Sequence, residues 1–179
     1  MKKILVVIDY QNDFVTGSLA NAAAAALEKG IAEKVQQVLQ GGGQVIFTRD
    51  THEADYLATR EGQFLPVPHC ERDTEGWHLY GKLAQYEKAP HDGVYLVDKP
   101  TFGAAKLPQA IEEICGGAPD CIEICGVVTD ICVVSNAILL HSYFINAQII
   151  VHKDLCAAAT AEGHQRALDL LAGMGYTIQ

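Results

Sequence analysis

Cys121-Ile122-Glu123-Ile124-Cys125-Gly126-Val127-Val128-Thr129-Asp130-Ile131-Cys132-Val133 decides the fold of this chain. Its first five residues form a short, largely apolar run that reads as a buried strand over 121–125. Gly126 marks a tight turn. After Cys132, the apolar residues Val133, Ala137, Ile138, Leu140 and Tyr143 recur at helical spacing, so 130–143 reads as a helix. The unit is strand, glycine turn, helix, and it places Cys132 in the first helical turn. Backbone N–H groups there lack intrahelical partners and the helix dipole favours negative charge, which suits a thiolate nucleophile of lowered pKa. A buried structural thiol suits the position too, and is the commoner fate of a free cysteine.

The same alternation continues in both directions. Residues 4–8 form a continuous apolar run, as a strand buried on both faces requires. Residues 21–40 carry Leu27, Ile31, Val35 and Leu39 at spacings of four, with Asn21 as N-cap and Gly41 as the residue after the helix end. Strands follow at 44–48, 94–98, 147–151 and 176–178, and helices at 81–87, 106–115 and 160–172. Residues 50–80 have no sustained period and read as a long loop with at most short helices; loops of that length in a compact domain are usually functional. Six strands interleaved with helices specify an α/β domain with a doubly wound, mostly parallel sheet, and 179 residues suit one such domain over 1–179.

Composition narrows the partners. A net charge of −9 with no basic cluster argues against nucleic acid and anionic membranes. The apolar run before Asp9 is too short for a signal peptide, and no run reaches the roughly 18 residues of a membrane span. A cytoplasmic location is expected, in which the six cysteines are reduced thiols.

In doubly wound sheets ligands bind beyond the carboxyl ends of the strands. Asp9 follows the strand at 4–8, Asp50 that at 44–48, Lys99 that at 94–98, and Cys132 that at 121–125. A cysteine nucleophile needs a base and a cationic partner. None of the seven histidines ends a central strand, and His141, His152 and His164 read as surface residues. Asp9 ends the most apolar strand, where an ionised carboxylate is costly unless paired, and Lys99 can supply the pair. The reading is Asp9 as base, Lys99 as electrostatic partner and Cys132 as nucleophile. Taken singly, Asp9 also fits a strand-ending turn and Lys99 a solvated surface charge; their convergence on one sheet edge favours a site.

Three segments carry a resemblance. Asp9-Tyr10-Gln11-Asn12-Asp13-Phe14, Lys99-Pro100-Thr101-Phe102 and Gly126-Val127-Val128-Thr129-Asp130-Ile131-Cys132-Val133 resemble, in order and across essentially the whole chain, the motifs of the isochorismatase-like cysteine hydrolases, the group that includes nicotinamidases. The resemblance implies a three-layer α/β/α fold with a six-stranded parallel sheet and an Asp9–Lys99–Cys132 triad. It also implies a non-proline cis peptide between Val127 and Val128, and an oxyanion hole made by the N–H groups of Val128 and Cys132.

A second constellation separates branches of that family. Asp50 and His52 lie two apart, on the same side of an extended segment, with Glu61 and His69 further on. The set suits a divalent metal, zinc first and manganese or iron as alternatives, although by spacing alone it could equally be polar surface. Nicotinamidases carry a metal at matching positions, where it binds the pyridine nitrogen. The resemblance therefore implies Asp50, His52 and His69 as ligands, with Glu61 as a fourth. Phe14 and Phe102 match pocket-lining aromatic positions, and Phe64, Leu65 and Trp77 are further candidate walls, Trp77 fitting core packing as well. Two departures bear on pocket shape: Pro66 stands where many relatives carry an aromatic residue, and Asp73 where they often have glycine.

The implied activity is hydrolysis of a small-molecule amide, nicotinamide, to nicotinate and ammonia through a Cys132 thioester, a step of NAD salvage, with pyrazinamide as a further substrate. Another small amide, or an isochorismatase-type reaction without metal, is the alternative. A non-catalytic scaffold that retains the fold is disfavoured by the intact triad. Family members often form homo-oligomers, and the composition is compatible with that.

Overall fold

The computed structural model describes residues 1–88 and 90–179. In chain order the main elements are β1 (Lys3–Ile8), α1 (Asn12–Val15), α2 (Ala22–Ala25), α3 (Glu28–Gln40), β2 (Gln44–Asp50), α4 (Arg60–Phe64), α5 (Gln85–Lys88) and β3 (Val94–Lys99). There follow α6 (Leu107–Cys115), β4 (Cys121–Val127), α7 (Val134–Tyr143), β5 (Gln148–Ala157), α8 (Ala161–Gly173) and β6 (Thr177–Ile178). The strands form one sheet in the order β3-β2-β1-β4-β5-β6, every neighbouring pair parallel, with helices flanking it. This is the doubly wound α/β fold that the alternation predicts. The order reverses between β1 and β4, so the crevice where such sheets bind ligands opens beyond Ile8 and Val127.

The central strands are apolar because both faces are covered. All seven residues of β4 and five of the six in β1 are buried. Glu123 is the exception in kind: its buried carboxylate is paired with Lys3 and Lys34 and hydrogen-bonded to His152. Close approach between β1 and β4 demands Gly126, which has φ 115° and whose added Cβ would lie 2.1 Å from the Ile8 carbonyl oxygen.

Several boundaries differ from the sequence reading. The helix expected over 21–40 is two helices, α2 and α3. The Tyr10 hydroxyl donates to the Ala24 carbonyl at 2.6 Å and the Leu27 N–H takes the same carbonyl at 3.0 Å, which interrupts the ladder. Asn21 does cap α2, its side chain accepting from the Ala23 N–H. The left-handed residue after α3 is Gly42, not Gly41. The strand expected over 147–151 runs on to Ala157, because an irregularity in β5 between Val151 and Cys156 shifts the register and lets Cys156 and Ala157 pair with Gly126 and Val127. Cys132 lies in a π-helical turn, Thr129–Val133, that leads into α7. Residues 50–80 form loops with short helices, α4 among them, as expected. His152 and His164, expected at the surface, are half-buried and bonded to Glu123 and Thr129.

Candidate active site

Four strand ends deliver the site. Asp9 leaves β1 with φ 46°, a left-handed conformation that aspartate tolerates better than most residues. Asp50 and Lys99 are register partners at the ends of β2 and β3. Cys132 arrives through the turn after β4. The structure brings all four together. Lys99 Nζ lies 2.7 Å from Asp9 Oδ2, 3.1 Å from Asp50 Oδ1 and 3.8 Å from Cys132 Sγ, and donates to the Thr101 carbonyl at 3.0 Å. Lys99 is 1% exposed and Asp9 fully buried. One ammonium thus bridges two buried carboxylates beside a thiol, an arrangement that burial permits only because each carboxylate has a cationic partner.

Electrostatics refine the sequence reading. Burial raises the Cys132 thiol well above its ordinary value; Lys99 opposes this, while Asp9 and Asp50 reinforce it. The direction is opposite to the lowering expected at a helix start: desolvation in the pocket and two carboxylates act against the dipole of one turn. Deprotonation needs a base. Burial also raises Asp9, against the pull of Lys99, which makes it a stronger acceptor than a surface aspartate. Burial and then the carboxylates and thiol around it act in opposite senses on Lys99, and the anions prevail, so it stays charged.

Val127–Val128 is a cis peptide. Among the described residues nothing accepts a hydrogen bond from the Val128 N–H, which leaves it available at the rim of the Cys132 pocket.

Asp50 faces two ways. Its Oδ1 meets Lys99, and its Oδ2 lies 3.1 Å from His52 Nε2 and 3.3 Å from His69 Nε2. Burial would raise its carboxyl, but Lys99 and the two imidazoles outweigh that and hold it far below the usual carboxylate range. His69 Nδ1 sits 2.7 Å from the Val67 carbonyl, an acceptor only, so Nδ1 carries a proton. In the neutral ring Nε2 is then a lone pair aimed at a carboxylate oxygen, an arrangement that calls for a cation between them. One ligand atom each from Asp50, His52 and His69 lie within 4.8 Å of one another, all buried. Glu61 Oε1 is 3.8 Å from His52 Nε2, buried, and without a hydrogen-bond partner among the described residues. Burial, then the charge of Asp50, raises the Glu61 carboxyl. An oxygen–nitrogen donor set with an unpartnered carboxylate oxygen beside it fits a borderline divalent ion.

Cys132, Asp50 and His69 open into one cavity of about 530 Å³, walled by Phe14, Leu65, Phe102, Val128 and Ile131 and closed by Leu19, Ala20, Asn21, Ala22, Ala23 and Ala159. Its lining is mainly apolar, suited to a flat ring. Phe64 is not a wall of it: 81% exposed, it borders a separate recess beside Arg60 and Thr101, because the short helix α4 turns it outward. Trp77 is in the core instead, its Nε1 donating to Thr51 Oγ1 and its ring beneath the Arg49 guanidinium at 3.7 Å. Neither Pro66 nor Asp73 lines the cavity. Asp73 has φ 64°, a conformation that favours glycine and that aspartate can adopt.

Sequence reasoning missed the residues that hold these groups in place. The Gln11 side chain donates to the Asp50 carbonyl at 2.8 Å and accepts from the Asp50 N–H at 2.7 Å. Asp13 accepts from the Cys70 N–H at 2.7 Å, anchoring the His69 loop beside Phe14. Asn136 ties the Phe102 and Cys132 carbonyls and the Ala104 N–H together. Gln11 and Asp13 lie in the Asp9–Phe14 segment, where an amide and a carboxylate directly after a buried strand were the available signal. The alanines that close the cavity gave none.

Comparison with known proteins places the chain. The isochorismatase domain model matches residues 3–179. The Bacillus subtilis isochorismatase family protein PncA is 34% identical over 180 residues, covering 96% of this chain and 95% of that protein. The crystal structure of a pyrazinamidase/nicotinamidase from Streptococcus mutans superposes with a TM-score of 0.88 at 34% identity, covering 99% of each chain. That of a nicotinamidase/pyrazinamidase from Bacillus subtilis gives 0.87 at 33%, also covering 99% of each.

Proposed function

The chain belongs to the isochorismatase family, and within it we propose that it is a metal-assisted cysteine amidohydrolase acting on nicotinamide. The observation that carries this is the shared cavity: Asp50 and His69 of an Asp–His–His ligand set open into the same apolar space as Cys132, whose thiol lies beside a Lys99–Asp9 ion pair. The relatives at 33% and 34% identity named nicotinamidase and pyrazinamidase support the same substrate class.

Asp50, His52 and His69, with Glu61 beside them, would hold a divalent ion, zinc first, that binds the pyridine nitrogen and so fixes the ring. Phe14, Leu65 and Phe102 flank the ring and exclude water. Asp9 accepts the Cys132 proton as sulfur attacks the carboxamide carbon, and Lys99 keeps Asp9 ionised until that moment. The N–H groups of Val128 and Cys132 receive the oxyanion. Asp9 returns the proton to the nitrogen as the C–N bond breaks, leaving a thioester on Cys132 and releasing ammonia. Asp9 then activates a water that frees nicotinate, a product suited to NAD salvage. Among the described residues no helix is long and apolar enough to cross a membrane; a cytoplasmic location is part of the proposal.

The test is ammonia release from nicotinamide by metal-loaded wild type and Cys132→Ala, each with and without chelator. Release by wild type alone, suppressed by chelator, is expected. No release from metal-loaded wild type overturns the substrate, and full activity after metal removal overturns the role of the ligand set.

A further inference from the structure

Thr48 is fully buried on β2. Valine has nearly the same shape and the same strand preference, and would bring no hydroxyl into the core. The hydroxyl has one conspicuous neighbour: it donates to Asp9 Oδ1 at 2.6 Å and sits 3.2 Å from the Asp9 N–H. Thr48 therefore grips both the side chain of Asp9 and the backbone that holds it at φ 46°. The two oxygens of Asp9 become unequal. Oδ1 carries the short bond from Thr48. Oδ2 forms an ion pair with Lys99 Nζ at 2.7 Å, and a carboxylate oxygen in one such contact keeps a second lone pair.

We propose that Thr48 is a positioning residue that fixes the Asp9 carboxylate so that Oδ2 is the oxygen exchanging the proton with Cys132. The inference rests on the thiol-amidase reading above. The S–H bond breaks as an O–H bond forms on Oδ2 and sulfur bonds to the carboxamide carbon. The same proton passes to nitrogen as the C–N bond breaks. Without the hydroxyl the carboxylate can turn about its terminal torsion, which is soft, and both oxygens compete for Lys99.

The experiment uses the metal-loaded full chain with Thr48→Val, Thr48→Ala and Thr48→Ser. A misdirected base costs about 10- to 100-fold in rate. Val and Ala are expected to lower kcat by about that factor with KM within about twofold and metal content unchanged, and Ser to return kcat to within about threefold of wild type. Wild-type kcat in Val and Ala, or equal loss in Ser, overturns the role. So does loss of bound metal in step with activity, which would assign Thr48 to Asp50 two residues on. A second readout needs no amide: alkylation of Cys132 by iodoacetamide, followed by peptide mass mapping, should slow about tenfold in Val and recover in Ser. An unchanged alkylation rate counts against Thr48 itself, whereas wild type that is alkylated but inert to nicotinamide counts against the substrate.

Discussion

Replacing Lys99 by methionine removes one charge from a buried cluster of three. At 2.7 Å from Asp9 and 3.1 Å from Asp50, its attractions are about 6 and 5 kcal/mol at an effective dielectric of ~20. Losing the ammonium also removes its own desolvation cost of several kcal/mol, so the net destabilisation expected is roughly 3–5 kcal/mol. For a chain of this size that lowers the melting temperature by about 6–20 °C. The deficit depends on pH in a definite sense. In the variant Asp9 is fully buried with only Thr48 as partner, so burial holds its carboxyl further above the unfolded value than in wild type. A group with a raised folded pKa loses stability as pH rises through that value. The raised pKa of Lys99 in wild type contributes stability that is fully present below 10.5 and changes only above it, so it adds no slope between pH 5 and 8. The gap between the proteins is therefore widest near pH 8 and narrows toward pH 5. Urea unfolding of chelator-treated wild type and Lys99→Met across that range measures it. A gap below about 1 kcal/mol at pH 8, or one that widens on acidification, refutes the reasoning.

His69→Ala should lose metal affinity by more than about 100-fold, since it removes a ligand rather than a supporting group, whereas Glu61→Gln should cost about tenfold; chelator competition followed by metal analysis compares them. Gln11→Leu, which frees the Asp50 backbone, should weaken metal binding by about 10- to 100-fold while leaving the Cys132 turn intact, measured in the same competition. Gly126→Ala should destabilise by roughly 2–5 kcal/mol, because a Cβ 2.1 Å from the Ile8 oxygen and a φ of 115° both resist it; thermal melts check this.

The strands were legible because burial on both faces writes itself as unbroken apolar runs, and the sheet-edge rule then brought Asp9, Asp50, Lys99 and Cys132 to one place. What stayed hidden depends on contacts between distant residues. The break between α2 and α3 follows from the Tyr10 hydroxyl, which no pattern within 21–40 encodes. The upward shift of the Cys132 thiol follows from the depth of its pocket, while the local turn suggested the opposite. Phe64 was misplaced because residues 50–80 carry no period from which the outward turn of α4 could be read. Thr48 read as one more strand residue until Asp9 stood beside it.

The most direct test is rapid acid quench of wild-type protein during turnover with nicotinamide, followed by intact mass and peptide mapping. The expected species is one nicotinoyl group on Cys132, formed with loss of ammonia and absent from Cys132→Ala. Ammonia release with no adduct at any time, together with undiminished activity of Cys132→Ala, would contradict Cys132 as the nucleophile that Asp9 and Lys99 serve.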